Sequence, residues 1–450
     1  MKFVLSQQVI KVQNVLALFV FCMLYTHAFS QSTAIPDSNF EQALVYMNID
    51  TNGMTGDILN CDAENVLSLN LYNKDISDLT GIEAFVDLKN LNADYNNLTN
   101  INLSQNRDLE YIDVDNNALT TIDVSSNLDL HELHVSSNYL SSIDVSHNSE
   151  LKSLTCSINN ISTIDVSQNS ELEVLWCYSN NLNTLTVSNN ASLSSLICGQ
   201  NNLSVLNVTN NSNLKTISCA STGISELNIA NNPELEYLDC SNNSISSLNL
   251  NANTQLKRVL ASNNNLTAID VSNLEDLFLF YITNNNLEHI DLSSNTDLRY
   301  FNAENNNLQE VDIRNNNANG IREFNTTQNP SLTCLMVNDA SQSYLNTWDI
   351  DAHTSFVNSE NECQLLSTDS VSQLDTLSVY PNPASEFLYV TLNTNNESSL
   401  ELFTISGQRI KKQTLHAGKN QIDISQINAG IYLTKIISNG FSHSSKLIIK

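Results

Sequence analysis

The chain has 450 residues, 48 acidic against 19 basic, and a formal charge of −29 at pH 7. That balance repels nucleic acid and anionic membranes, which argues against both as partners. Beyond the first thirty residues no apolar run reaches membrane-spanning length.

Residues 1–30 read as an export signal. Lys2 and Lys11 supply positive charge, residues 15–24 form a short apolar run, and Ala28, Phe29 and Ser30 offer a cleavage site. A signal anchor is the alternative, but the run is short for a span, so the mature chain is expected to begin near Gln31. In residues 31–65, Phe40, Ala43, Leu44 and Met47 have apolar helical spacing, which predicts a short helix that plugs the start of the adjoining region. Asp50, Asn52 and Asp57 look superficially like a calcium loop. The fifth-position Asp/Asn and the final Glu are missing, so a polar turn is the better reading.

Residues 66–326 repeat. Leucines recur every 21 residues at Leu88, Leu109, Leu130, Leu151, Leu172, Leu193, Leu214, Leu235, Leu256, Leu277 and Leu298. Each repeat divides into halves of 10 and 11 residues with a shared LxxLx(small or aliphatic)xxN grammar. Such a chain stacks its repeats as coils of one solenoid. In the first half, Leu91, Ile112, Leu133 and their successors alternate with Ala93, Val114, Val135 and theirs, so both sets share one strand face. The second half supplies Ile101, Ile122, Ile143, Ile164 and Leu185, then Leu103, Val124, Val145, Val166 and Val187. No single coil can bury these side chains; a stack can. Residues 315–320 disturb the period.

Two asparagine ladders mark the turns. One runs from Asn96 to Asn306, interrupted by Thr222; the other runs from Asn106 to Asn295, interrupted by Leu274. An inward amide has donors and an acceptor for backbone groups that the turn leaves unpaired. Cys156, Cys177, Cys198, Cys219 and Cys240 hold one inward position in five consecutive coils. Disulfides or a metal ladder are conceivable there, but tetrahedral metal ligation needs convergent ligands. Small buried hydrophobes fit better, since Ala93, Val114 and Ala261 share the slot.

This pattern resembles the leucine-rich repeats of bacterial surface proteins, in the nested class LxxLxLxxNxLxxLDLxxN. The resemblance implies a horseshoe or gently curved β-rich solenoid used mostly for protein binding. It also implies that residues 31–65 form a helical N-terminal cap. Residues 327–363 resemble the LTC…W…C cap of the class, which implies a Cys334–Cys363 disulfide with Trp348 between.

Outward strand positions form the candidate binding surface. They include Asn92, Asp113, His134, Thr155, Trp176, Ile197, Ser218, Asp239, Leu260, Tyr281 and Asn302, with Tyr95, Tyr111, Tyr178, Phe278 and Tyr300 beside them. Two apolar or aromatic spots emerge: Trp176, Tyr178 and Ile197; and Leu260, Phe278, Tyr281 and Tyr300. Protein or peptide binding is the favoured use, with sugar stacking and a ligand-free surface as alternatives. On the second half, Asp123, Asp144, Asp165, Asp270, Asp291 and Asp312 share one register. Stacked carboxylates repel, so these should bond to nearby backbone rather than gather cations. Asp113, Asp115, His131 and His134 are neighbours in the stack, yet lie on an open surface that neither excludes water nor orients a substrate. No nucleotide, zinc-protease or serine-hydrolase motif stands in a convincing context. The expectation is no enzyme activity, no metal and no cofactor.

Residues 364–376 read as a polar linker. Residues 377–450 change to short alternating strands with turn signals at Gly407 and Gly430, which predicts a small β-sandwich. Its PNPAS opening, FTISGQ turn, DISQINAGIY stretch and terminal KLIIK resemble the type A sorting domain of the Bacteroidota type IX secretion system. That resemblance singles out Pro381, Asn382, Pro383, Gly407, Gly430, Tyr432 and Lys450. It implies a secreted or outer-membrane surface protein of a Gram-negative bacterium, handled by the type IX machinery. Membrane association would come only through a glycolipid anchor. The chain is thus expected to be a non-catalytic, surface-displayed or secreted binding protein, with a glycan-binding or structural matrix role as the alternative.

Overall fold

The computed structural model describes residues 32–366, 378–392, 398–405, 407–438 and 441–450. The expected export signal and most of the expected linker lie outside these residues. The chain divides into two compact units. One is residues 1–308 with 314–330 and 344–351; the other is 309–313, 331–343 and 352–450. Among the described residues, no helix is long and apolar enough to cross a membrane.

The first unit opens on a strand, Ser32–Ala34, antiparallel to Asp57–Leu59, and a helix, Ser38–Tyr46. Asp37 caps that helix, accepting from Asn39 N (2.9 Å) and Phe40 N (3.1 Å). Its other carboxylate oxygen accepts from Ser77 N at 2.8 Å, which ties the helix to the first coil. Phe40, Ala43 and Leu44 are buried as the apolar spacing predicts, with Phe40 6.5 Å from the Phe85 ring. The Asp50 region is a closed polar turn. Asn52 Nδ2 and Thr55 Oγ1 both donate to Asp57 Oδ1 (3.0 and 2.8 Å).

The repeats build a 13-stranded parallel sheet in coil order, from Ser68–Asn70 to Glu323–Asn325. Each coil contributes a three-residue strand that pairs in register with the next, as in Trp176 with Ile197 and Leu260 with Tyr281. The middle residue of each strand, Leu91 through Phe301, is buried, and so is the Ala93-to-Ala303 column two residues on. The second-half column Leu103, Val124, Val145, Val166 and Val187 is equally buried. The column before it is less so. Ile143 and Leu185 are buried, but Ile101, Ile122 and Ile164 are only half-buried.

One left-handed residue per coil turns the chain out of the strand. Tyr95, Asn116, Ser137, Ile158, Ser179, Gln200, Ser221 and Asn242 all have φ between 50° and 57°. Asparagine suits that conformation, and Ile158 does not. The disturbance near residue 315 is a 3-10 turn at Ala318–Gly320. It lengthens the step from Phe301 to its in-register partner Phe324. Phe280, Phe301 and Phe324 stack in successive coils at 5.9 and 5.1 Å, and Trp348 lies 4.0 Å from Phe324 with rings nearly parallel.

In the second unit, Glu310–Asp312, Cys334–Met336 and Ser355–Val357 pair in parallel. Cys334 and Cys363 are disulfide-bonded, with Cα atoms 5.5 Å apart. The C-terminal module has a three-stranded and a four-stranded sheet. Leu388, Val390 and Ile422 from the first pack with Leu400, Leu402, Ile436 and Leu447 from the second. This is the face-to-face core of a sandwich.

Candidate binding surface

The two asparagine ladders solve different problems. In the first, each amide donates to two or three carbonyls and its oxygen accepts a backbone N–H. Asn180 Nδ2 donates to Cys156 O (2.9 Å) and Cys177 O (3.1 Å), and Oδ1 accepts from Ile161 N (2.9 Å). Where Thr222 interrupts, Asn243 Oδ1 accepts from Gly223 N (2.8 Å) as well as Ile224 N (3.2 Å). In the second ladder only the donors are used. Asn190 Nδ2 reaches Val166 O (2.9 Å) and Asn169 O (2.8 Å). Its Oδ1, like those of Asn106, Asn127 and Asn148, is buried and accepts no bond among the described residues. The cysteine column is fully buried, and burial pushes the thiols of Cys156, Cys198 and Cys240 up to about 12. These thiols pack as small hydrophobes.

The second-half aspartates bond to backbone as expected. Asp123, Asp144, Asp165, Asp270 and Asp291 each accept from the N–H two residues on, at 2.8–3.0 Å. Those bonds hold the carboxyls of Asp144, Asp165 and Asp270 below the usual range. Asn207, Asn228 and Asn249 make the same turn, so charge is incidental to its structural role.

The same local turn sorts the outward strand positions. Asn92, Asp113, Asp239 and Asn302 accept from the N–H two residues on, at 3.0–3.1 Å. These residues close their own turn. In the same column, His134, Thr155, Trp176, Ile197, Leu260 and Tyr281 have given up that bond. Thr155 shares that outward column, in register between His134 and Trp176, but is buried on it, with His134 Nδ1 2.9 Å from its hydroxyl.

The first spot stands near the middle of the sheet. Trp176 is 41% exposed, and its indole N–H donates to Ser195 Oγ at 3.0 Å, which fixes the ring against the next strand. Ile197 is its in-register neighbour. Tyr178 lies over Gly199, where an added Cβ would come within 3.4 Å of the ring and 2.8 Å of Ala220 O. The second spot begins four strands on, roughly 19 Å away at ~4.8 Å per strand, and spreads over three columns. Phe278 precedes its strand, Tyr300 opens the next, and their rings are 5.4 Å apart. Leu260 and Tyr281 hold the third strand position. Tyr281 donates to Glu323 Oε2 at 2.7 Å; burial, then that carboxylate, push its phenol up to about 12. Beside Phe278 lies an open concavity of about 540 Å³, lined by Lys257, Arg258, Asp276, Asp297 and Arg299.

Toward the first coils the face turns acidic. Tyr111 donates to Asp113 Oδ2 at 3.3 Å and its ring is 5.4 Å from the His134 ring. Burial pushes Asp115 up to about 6, with Asp113 and Asp94 adding repulsion, while its carboxylate accepts from Ser136 N. His131 is part of a different column, one position ahead of the strand. Among the described residues no group of three or more His, Cys, Asp and Glu is arranged to hold a metal ion.

Of the sorting-motif residues, Asn382, Gly430, Tyr432 and Lys450 gather around the last strand of the C-terminal module, whereas Gly407 lies in the turn at the other edge of the four-stranded sheet. Asn382 donates to Lys446 O (2.7 Å) and accepts from Ile448 N (2.9 Å), and Lys450 N donates to Ala384 O (2.8 Å). The segment holding Pro381 and Pro383 is thereby stitched to the last strand. Gly407 takes a φ of +85°, which a tight turn needs. Tyr432 donates to Asn428 O at 2.8 Å, and its ring lies against Gly430.

Residues 378–450 match the family described as the secretion system C-terminal sorting domain. Comparison with curated proteins finds no match. Among solved structures, the chain is similar to the functional domain of InlJ from Listeria monocytogenes, described as including a cysteine ladder. That likeness has 24% identity and a TM-score of 0.61, covering 94% of this chain and 99% of that one. It is also similar to an internalin, inlF, from the same organism, at 18% identity and a TM-score of 0.53, covering 69% and 97% of the two chains. These likenesses concern the fold.

Proposed function

We propose that this bacterial surface protein, a leucine-rich-repeat solenoid exported through the Bacteroidota type IX route by its C-terminal sorting domain, binds a protein or peptide partner on the strand face of the solenoid. The observation that carries the reading is the outward third strand position. Asn92, Asp113, Asp239 and Asn302 close their own turn there, whereas Trp176 and Ile197 on one side of Asp239, and Leu260 and Tyr281 on the other, forgo that bond. Trp176 is exposed and the other three are half-buried; apolar side chains that leave a local structural role while keeping accessible surface fit anchors of an interface. The scaffold is rigid before the partner arrives, so little conformational entropy is lost on binding. The mechanism is recognition alone, without catalysis.

The mature chain, incubated with host extracellular proteins, bacterial surface fractions and a glycan array, provides the test. The expected result is saturable capture of a protein that a Trp176→Ala/Tyr281→Ala variant loses. Saturable capture of a polysaccharide would favour the sugar-stacking reading. No capture at all by folded protein would favour a structural coat.

A further inference from the structure

The C-terminal module carries a charge pattern opposite to that of the chain. It holds seven Lys and Arg against four Asp and Glu, in a protein of net charge −29. Part of that surplus is gathered on one face. In the four-stranded sheet, Leu400, Leu402, Ile436, Leu447 and Ile449 point into the core. The alternate residues face outward, and their registers place them in rows. Arg409, Phe403, Leu433 and Lys446 lie side by side across the four strands, and Lys412, Glu401 and Lys435 form the next row. Ile431 pairs with Ile448.

The solvent side of such a sheet should be polar, yet Ile431 is 49% and Leu433 44% exposed. Glu401 is the one acidic group in these rows, and it is bound by Arg409 at 2.9 Å and Lys412 at 3.3 Å. The opposite sheet satisfies itself instead: Lys419 Nζ sits 4.1 Å from the centroid of the Tyr389 ring and 5.6 Å from that of Tyr380. An apolar centre rimmed by cations has the composition of a docking face for a surface of opposite charge.

We infer that this outer face, with Ile431 and Leu433 at its centre and Arg409, Lys412, Lys435 and Lys446 around it, docks a protein surface that presents carboxylates around an apolar patch during export. The inference rests on the assignment of residues 378–450 as a sorting domain. A flat face of sheet favours a protein partner over lipid, where an amphipathic helix is the usual inserting element.

Export of the full chain is measured in a bacterium with type IX secretion, as the fraction reaching the surface or medium rather than held in the periplasm. Ile431→Ser/Leu433→Ser and Lys412→Glu/Lys435→Glu are each expected to lower that fraction about tenfold or more, with unfolding midpoints of the purified variants close to that of the parent. Lys412→Arg/Lys435→Arg should export normally, as should Thr391→Glu on the opposite sheet. Normal export of both docking-face variants, alongside periplasmic retention of a chain lacking residues 378–450, would overturn the docking face and leave the sorting assignment standing. Normal export of the truncated chain would overturn the sorting assignment itself. Cosedimentation of the full chain with phosphatidylglycerol vesicles, lost in Lys412→Glu/Lys435→Glu, would assign the face to lipid and also overturn the proposal.

Discussion

The two asparagine ladders look alike in sequence but should respond differently to the same substitution. Leucine nearly matches asparagine in shape, so the change removes polar groups with little cavity. Asn180→Leu leaves the buried N–H of Ile161 without its acceptor, while the carbonyls of Cys156 and Cys177 each keep a donor, Asn159 and Asn201 respectively. An orphaned buried donor costs about 1–3 kcal/mol. In Asn190→Leu the carbonyls of Val166 and Asn169 keep their backbone donors, Asn169 N and Leu172 N, both at 3.1 Å. That change loses two side-chain hydrogen bonds but also removes a buried acceptor that had no partner. The terms oppose, and the net effect should lie within about 1 kcal/mol of zero. Equilibrium urea unfolding followed by far-UV circular dichroism compares the two variants at common slope. Equal losses, or a larger loss for Asn190→Leu, would refute the assignment of acceptor use to the first ladder alone.

Further outcomes rest on the same structure. Ile158→Asn should stabilise by roughly 1 kcal/mol, because it relieves a branched side chain at φ 54°; a lower urea midpoint would contradict this. Asp115 titrates near 6 in the folded chain against 3.8 ordinarily. The folded chain thus holds a proton that the unfolded chain releases in that window, and this contribution to stability falls as pH rises through it. Asp115→Asn should flatten that slope and raise the midpoint at pH 7.5, since its amide oxygen can still accept from Ser136 N. A thiol reagent should label Cys61 in the native chain, and Cys156, Cys177, Cys198, Cys219 and Cys240 only after unfolding; native labelling of the column would overturn its burial. Cys334→Ser/Cys363→Ser should destabilise the second unit by about 2–4 kcal/mol, checked by limited proteolysis near residue 334.

The periodic part of this fold was legible because one coil is the whole problem repeated. Spacing alone places Leu91, Ala93 and Leu103 on inward columns, and the roles of Asn180 and Cys177 come from their columns. The cap residues Trp348, Cys334 and Cys363 came from resemblance, since each occurs once and no period reveals it. Sequence reasoning missed the outward Asx turns. Asn92 and Asp113 read as surface, although the recurrence of Asn and Asp at that column was the available signal. It also missed the left-handed residue, whose column mixes Tyr95, Asn116, Ser137 and Ile158 because backbone geometry, not side-chain chemistry, is repeated there. Thr155 lies on the outward column as alternation predicts, yet it is buried there, because exposure also depends on neighbours such as His134. The second aromatic spot was one group in sequence and occupies three columns in space, because strand position separates Phe278 from Tyr281.

The central claim concerns which face of the solenoid binds. Once a partner is in hand, its equilibrium affinity for the mature chain should be compared with that for Trp176→Ala, Tyr281→Ala and Val205→Ser. Val205 is 59% exposed on the second half of its coil, away from the strands. Strand-face recognition requires a loss of about tenfold or more for the two aromatic variants and none for Val205→Ser. A loss confined to Val205→Ser, with both aromatic variants at parental affinity, would contradict it.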